Sequence, residues 1–305
     1  VVRGISAREL YLSSQMLSKY IRLNITEQRS SIWLAQRQGR TKNGYDVTEQ
    51  GLLKMLDMSG QADFQSNFEE LNIIPMSISY EYEPCDVLKA RELVISRKHK
   101  YVKAEGEDFN SIMVGIMQKK GNIHLNIGTP LTSEEIAAAA QCDKNDRYQL
   151  IRHAVDIRVI EGYKLWKNNY IAYDILNHSF KYSDKYSAEE VEQFVAYMEH
   201  QLNTVEPELN RADLRKHFLE IYANPVVSKE HHRRNIVIRK KDFNLKSFFL
   251  FIHYFHIQLR IWEVDSLLRK FFIYLGYKIE VYIPVVLGFH PYSDYELYAG
   301  VFKGT

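Results

Sequence analysis

Apolar positions recur with helical spacing from Ser6 to Ile25, at Leu10, Leu17 and Ile21 with Met16 and Tyr20 alongside. Ser6 stands three residues before Glu9, the capping-box arrangement that starts a helix. Ser31–Ala35 reads as a short buried strand, and the polar, basic, glycine-bearing stretch Gln36–Asp46 as a loop. Helical patterns follow at Glu49–Met58 and Asp63–Leu71. Met76, Ile78 and Tyr80 alternate with Ser77 and Ser79, predicting a strand over Ile73–Tyr80 that tolerates Pro75 near its start. Asp86–Tyr101 and Asn110–Lys119 look helical, the second stopped by Gly121, and Asn122–Gly128 alternates as a third strand. Ser133–Tyr222 reads as nearly all helix. Strands separated by helices in the first part of the chain predict an α/β fold, a mainly parallel sheet flanked by helices, with a helical C-terminal extension.

After Asn224 and Pro225 the texture changes. Lys229–Arg234 is a charged run, Ser247–Ile257 is aromatic and apolar, and Ile279–Leu287 looks strand-like. The aromatic run is too short to span a bilayer, which needs roughly 20 apolar residues. It suits a membrane interface or the core of a small appended subdomain equally. These shifts divide the chain into residues 1–132, a helical part 133–225 and an aromatic tail 226–305.

With 305 residues and 46% hydrophobic composition the chain can bury a sizeable core. Forty Lys and Arg against 38 Asp and Glu leave a net charge of +2, without the basic excess of a nucleic-acid binder. Cys85 and Cys142 are the only cysteines, which excludes a disulfide framework and a cysteine-rich zinc site. A reducing compartment fits. The chain begins Val1-Val2-Arg3 with neither an initiator Met nor a signal-peptide pattern, so it reads as the middle of a protein.

The loop after the first predicted strand carries the most chemistry. Gly39 and Gly44 would let backbone amides approach an anion, Arg40 can grip phosphate through two N–H groups, Lys42 acts as a point charge, and Thr41 lies between them. The loop lacks the Gly-Lys-Ser/Thr ending of a P-loop. The same residues also read as a solvated basic turn. Glu81, Glu83 and Asp86 form an acidic cluster without a nearby His. Beside Pro84 they read as helix-start acids rather than metal ligands. His231 and His232 suit an anionic headgroup or a solvated linker, and His124 a packed or surface position.

Ser31–Asp46 (Ser-Ile-Trp-Leu-Ala-Gln-Arg-Gln-Gly-Arg-Thr-Lys-Asn-Gly-Tyr-Asp) resembles the third conserved block of the glycerol-3-phosphate / 1-acylglycerol-3-phosphate acyltransferases. Asn72–Tyr82, with Pro75, resembles the fourth block, and Val2-Arg3-Gly4 the end of the second. Ile123–Leu131 resembles the strand and Gly-x-Pro turn that close the domain. The resemblance covers roughly residues 1–132, and the helical region to Pro225 resembles a continuation seen in a bacterial branch. It implies transfer of an acyl group from acyl-CoA or acyl carrier protein to the hydroxyl of 1-acylglycerol 3-phosphate (lysophosphatidic acid) or glycerol 3-phosphate. The product would be phosphatidic acid, made at the cytoplasmic face of a bacterial membrane. Arg3 and Arg40 would hold the acceptor phosphate with Thr41, Lys42 and the amides around Gly39, while Pro75 shapes the strand on the donor side. No metal or redox cofactor is implied, and no nucleic acid partner.

The chain departs from that pattern in two places. The family's His-x4-Asp signature, in which His is the general base, does not occur; His290 and Asp294 are one residue too close and come after the other blocks. Arg37 and Gln38 stand where the third block carries an acid. The expectation is therefore an N-terminally truncated acyltransferase that keeps the phosphate-binding half. Two alternatives remain, a non-catalytic phosphate- or lipid-binding remnant and a membrane-associated interaction module.

Overall fold

The structure is a computed structural model and describes residues 6–37, 41–97, 101–102 and 104–234, all within the unit Val1–Asn235. Arg3, Gly39, Arg40, the aromatic run, the strand expected near Ile279 and the His290–Asp294 pair lie outside these residues.

Helix α1 spans Ala7–Thr26, and the capping box forms as expected, with Ser6 Oγ accepting from Glu9 N and Glu9 accepting from Ser6 N. Helices α2 (Gln50–Asp57) and α3 (Phe64–Glu69) follow, α3 capped by Asp63 through the Ser66 amide at 3.1 Å. Then come β1 (Met76–Tyr80), α4 (Asp86–Ser96), α5 (Glu107–Met117) and β2 (Ile123–Ile127). The C-terminal half is helical: α6 (Ser133–Ala140), α7 (Asp146–Gly162), α8 (Lys167–Asn177), a 3-10 turn Ser183–Lys185, α9 (Ala188–Leu202) and α10 over residues 211–234.

The expected α/β fold with a mainly parallel sheet is overturned. The described residues are mostly helical, and their one sheet is a two-stranded antiparallel ladder of β1 and β2, with Ile78 opposite Leu125. Ser31–Ala35 forms no ladder, and Trp33 within it is 77% exposed. Strict alternation is itself the antiparallel signature, because parallel strands are covered on both faces and read as continuous apolar runs. The ladder's polar face turns inward: Ser77 Oγ lies beside Gly162 of α7, where an added Cβ would come within 2.8 Å. Its apolar face, with Met76, Ile78, Ile123, Leu125 and Ile127, is exposed.

The core lies among the helices. Val87, Ala90 and Val94 of α4 meet Ile171 of α8, Phe194 and Met198 of α9, and Phe218 and Tyr222 of α10. A second cluster joins Leu53, Phe64, Phe68, Ile136, Ile151 and Val155 from α2, α3, α6 and α7. A third seats Ile21 of α1 on Met55, Leu56 and Leu71.

Candidate functional site: a two-part cleft with a cationic junction

Two adjoining clefts share Arg37 and Lys89 in their walls. The first, about 1060 Å³, is lined by Trp33, Leu34 and Ile74 and by Met76, Ile78 and Ile127 of the ladder. The second, about 1550 Å³, is the more polar of the two and runs between the loop at Lys42–Tyr45, α4 and the start of α5. An apolar trough therefore opens beside a more polar one, with a guanidinium and an ammonium in the walls of both.

The predicted binding residues divide. Pro75 and Thr41 line the apolar cleft, and Lys42 lines the polar one. Pro75 opens β1, and its carbonyl accepts from Gly128 N at 2.9 Å. Thr41 Oγ1 donates to Asp46 at 2.8 Å, and Lys42 pairs with Glu92 of α4. The loop is thus fastened to the body by its own cation and hydroxyl. Asn224 of α10 donates to the Asn43 carbonyl at 2.6 Å, and Thr48 N donates to Asp156 of α7 at 2.8 Å.

Gly44 has a different role from the one expected. Its φ is +78°, and an added Cβ would stand 2.5 Å from the Ile221 carbonyl of α10. The glycine lets the loop lie directly on a helix backbone. Gly44→Ala meets both the left-handed penalty and that carbonyl, and is expected to cost about 2 kcal/mol or more. Urea unfolding of the variant beside the parent checks this, and unchanged midpoints would show that the loop shifts freely.

Arg37 is the residue that sequence reasoning missed. Its Nε is buried without a hydrogen-bond partner, and no ion pair forms at its guanidinium among the described residues. An orphaned buried donor in a cleft wall is a position a ligand oxygen would satisfy. The signal lies in the sequence, since Arg37 sits in the basic loop, at the place where the third block carries an acid. Lys89 Nζ lies 2.9 Å from Glu83, which leaves it oriented at the cleft wall. Ser77 Oγ, also in the apolar cleft's wall, is a second buried polar atom without a partner.

The acidic cluster behind the ladder has its own partners. Glu81 accepts from Asn122 at 2.8 and 2.9 Å, Glu83 pairs with Lys89, and Asp86 Oδ2 accepts from the hydroxyls of Tyr197 and Tyr222 at 2.8 and 2.7 Å. No group among the described residues has the makings of a metal site. Burial pushes the Asp86 carboxyl up to about 6 against the lowering effect of the two phenols. Burial, together with the Asp86 charge, raises Tyr222 well above its ordinary value. No histidine lines either cleft among the described residues, and His232 instead meets Glu161 at 2.9 Å. The site therefore offers two cations and an apolar wall, while no histidine among the described residues stands in it to act as a base. Comparisons with protein-family models, with curated proteins and with solved structures returned no match.

Proposed function

We propose that the cleft binds an acylated phosphate, with the phosphate between Arg37 and Lys89 and the acyl chain along the ladder's apolar face. The observation that carries this reading is the buried, unpartnered Arg37 Nε at the head of an apolar trough. The resemblance of Ser31–Asp46 and Asn72–Tyr82 to the acyltransferase blocks supplies the reaction class. The ligand would be the 1-acylglycerol 3-phosphate acceptor, receiving an acyl group from acyl-CoA or acyl carrier protein at the cytoplasmic face of a membrane. Arg40 and Arg3 would add to the same phosphate.

A second reading, lipid binding without catalysis, is favoured by one observation: the absence of histidine from both clefts among the described residues. The two readings share their ligand and differ in turnover.

Titration of the full chain with 1-acylglycerol 3-phosphate tests the shared part. Arg37→Ala is expected to weaken binding by about 10- to 100-fold, the size of a charge-assisted hydrogen bond lost from a buried site. Glycerol 3-phosphate, lacking the chain, should bind more weakly than the acylated form. Equal affinity of parent and Arg37→Ala would remove the phosphate from this junction. Product formation from acyl-CoA by the same preparation separates enzyme from binder.

A further inference from the structure

Helix α5 is turned the opposite way from an ordinary surface helix. Phe109, Ile112, Met113, Ile116 and Met117 recur at the spacing that makes one continuous stripe, and that stripe is exposed, with Phe109 69% and Met117 77% open. None of the helix's residues is buried. It rests on the body through its small residues: the Ser111 carbonyl faces Cys85 Sγ at 3.6 Å, and an added Cβ on Gly115 would meet the same sulfur at 3.6 Å.

The sequence around the helix is basic. Residues 97–120 hold six Lys and Arg against three Asp and Glu, a local excess in a nearly neutral chain. Lys119 and Lys120 directly follow the stripe; Lys119 Nζ lies 4.3 Å from the Tyr82 ring centre, and Lys120 Nζ donates to the Ile116 and Gln118 carbonyls. Arg97 stands before it, paired with Asp213 at 2.8 Å. An apolar stripe flanked by basic residues is the pattern of a helix lying in a bilayer interface.

We propose that α5 is a docking helix that lays its stripe into the surface of an anionic bilayer. No helix among the described residues is long and apolar enough to cross a membrane, so the contact is of the lying kind. Size favours the bilayer over a second copy of the chain. Eleven residues make a rod about 16 Å long and about 10 Å wide, a footprint far short of the roughly 800 Å² per partner that a stable protein interface buries. A lipid surface has no such threshold, because each inserted side chain adds to partitioning separately. The first turns of α5 also line the polar cleft, so docking would set that cleft's mouth at the headgroup level. The inference does not rest on the cleft's ligand: a chain that docks yet ignores 1-acylglycerol 3-phosphate would leave it standing.

Vesicle flotation of the full chain tests it, using phosphatidylcholine vesicles with and without phosphatidylserine. The parent is expected to float with the phosphatidylserine vesicles and much less with phosphatidylcholine alone. Ile116→Ser with Met117→Ser should lower partitioning by about tenfold or more while circular dichroism stays unchanged, since both side chains are exposed. Lys119→Ala with Lys120→Ala should erase the preference for phosphatidylserine. Flotation of the serine variant equal to the parent's would overturn the proposal, as would a parent that does not float. So would a parent dimer that the serine variant converts to monomer with vesicle binding unchanged, because a second copy would then cover the stripe.

Discussion

Arg22→Ala should lower the unfolding free energy by about 3 kcal/mol, because the lost guanidinium leaves several buried acceptors unpaired at once. Arg22 lies on α1 and is 9% exposed. Its Nε donates to Ser59 Oγ at 3.0 Å, and its terminal nitrogens donate to the carbonyls of Leu56 and Asn67, each at 3.1 Å. Glu70 takes a further bond, although its own side chain is half in water and that pair adds little. Ser18, one turn earlier, donates to Ser59 at 2.7 Å and completes the knot. Together these bonds fasten α1 to the end of α2 and to the last turn of α3. Urea unfolding followed by circular dichroism reads the effect as a lower midpoint at unchanged slope. A loss below about 1 kcal/mol would mean that water reaches the freed carbonyls.

The second large effect is a pH dependence centred on Asp86. Its carboxyl is 1% exposed, and burial lifts it from the ordinary 3.8 to about 6. A raised carboxyl binds its proton more tightly in the folded chain than in the unfolded one. Its contribution to stability is therefore full below 3.8 and is lost as the pH rises toward 6. The loss across that window is roughly 3 kcal/mol, from about 1.4 kcal/mol per pH unit. Asp86→Asn, which cannot ionise, should flatten the slope between those two values. Stability measured by denaturant at several pH values, for parent and variant, decides the matter. Parallel curves would place the titration elsewhere. Tyr222→Phe adds a directional check: removing one phenol from the carboxylate takes away a lowering contact and should move the window upward.

Much of the local structure was legible in the residues. Ser6 with Glu9 marked a helix start that the structure keeps, and the helical pattern over Asp63–Leu71 holds α3. The alternation of Met76, Ile78 and Tyr80 and that of Ile123, Leu125 and Ile127 located both strands. Pairing direction was misread, because the helices between the strands were given more weight than the strict alternation, which favours antiparallel pairing. The helices between the strands suggested parallel crossovers, whereas α4 and α5 return the chain to an antiparallel register. Ile32, Trp33 and Leu34 supplied a strand-like run without a partner strand. Such a run stays extended where no neighbour takes up its amides.

The site was legible in part. The basic loop was singled out, but Arg37 is distinguished from Lys42 only by partners fifty residues away in sequence. Glu92 claims Lys42, and no described acid claims Arg37. That difference depends on where α4 packs, and residue order alone does not carry it. The α5 stripe was also visible as a period, but that pattern ordinarily faces a core. Only the small contact made by Ser111 and Gly115 with Cys85 shows that it faces out.

The ladder's outer hydrocarbon has a thermal consequence. Met76 opposite Ile127 and Ile78 opposite Leu125 keep an oily surface wet in the free molecule. Whatever comes to lie over it sheds that hydration water, and the exchange carries a negative heat-capacity change. Association at this surface must therefore become steadily more exothermic on warming, whichever lipid or protein supplies the cover.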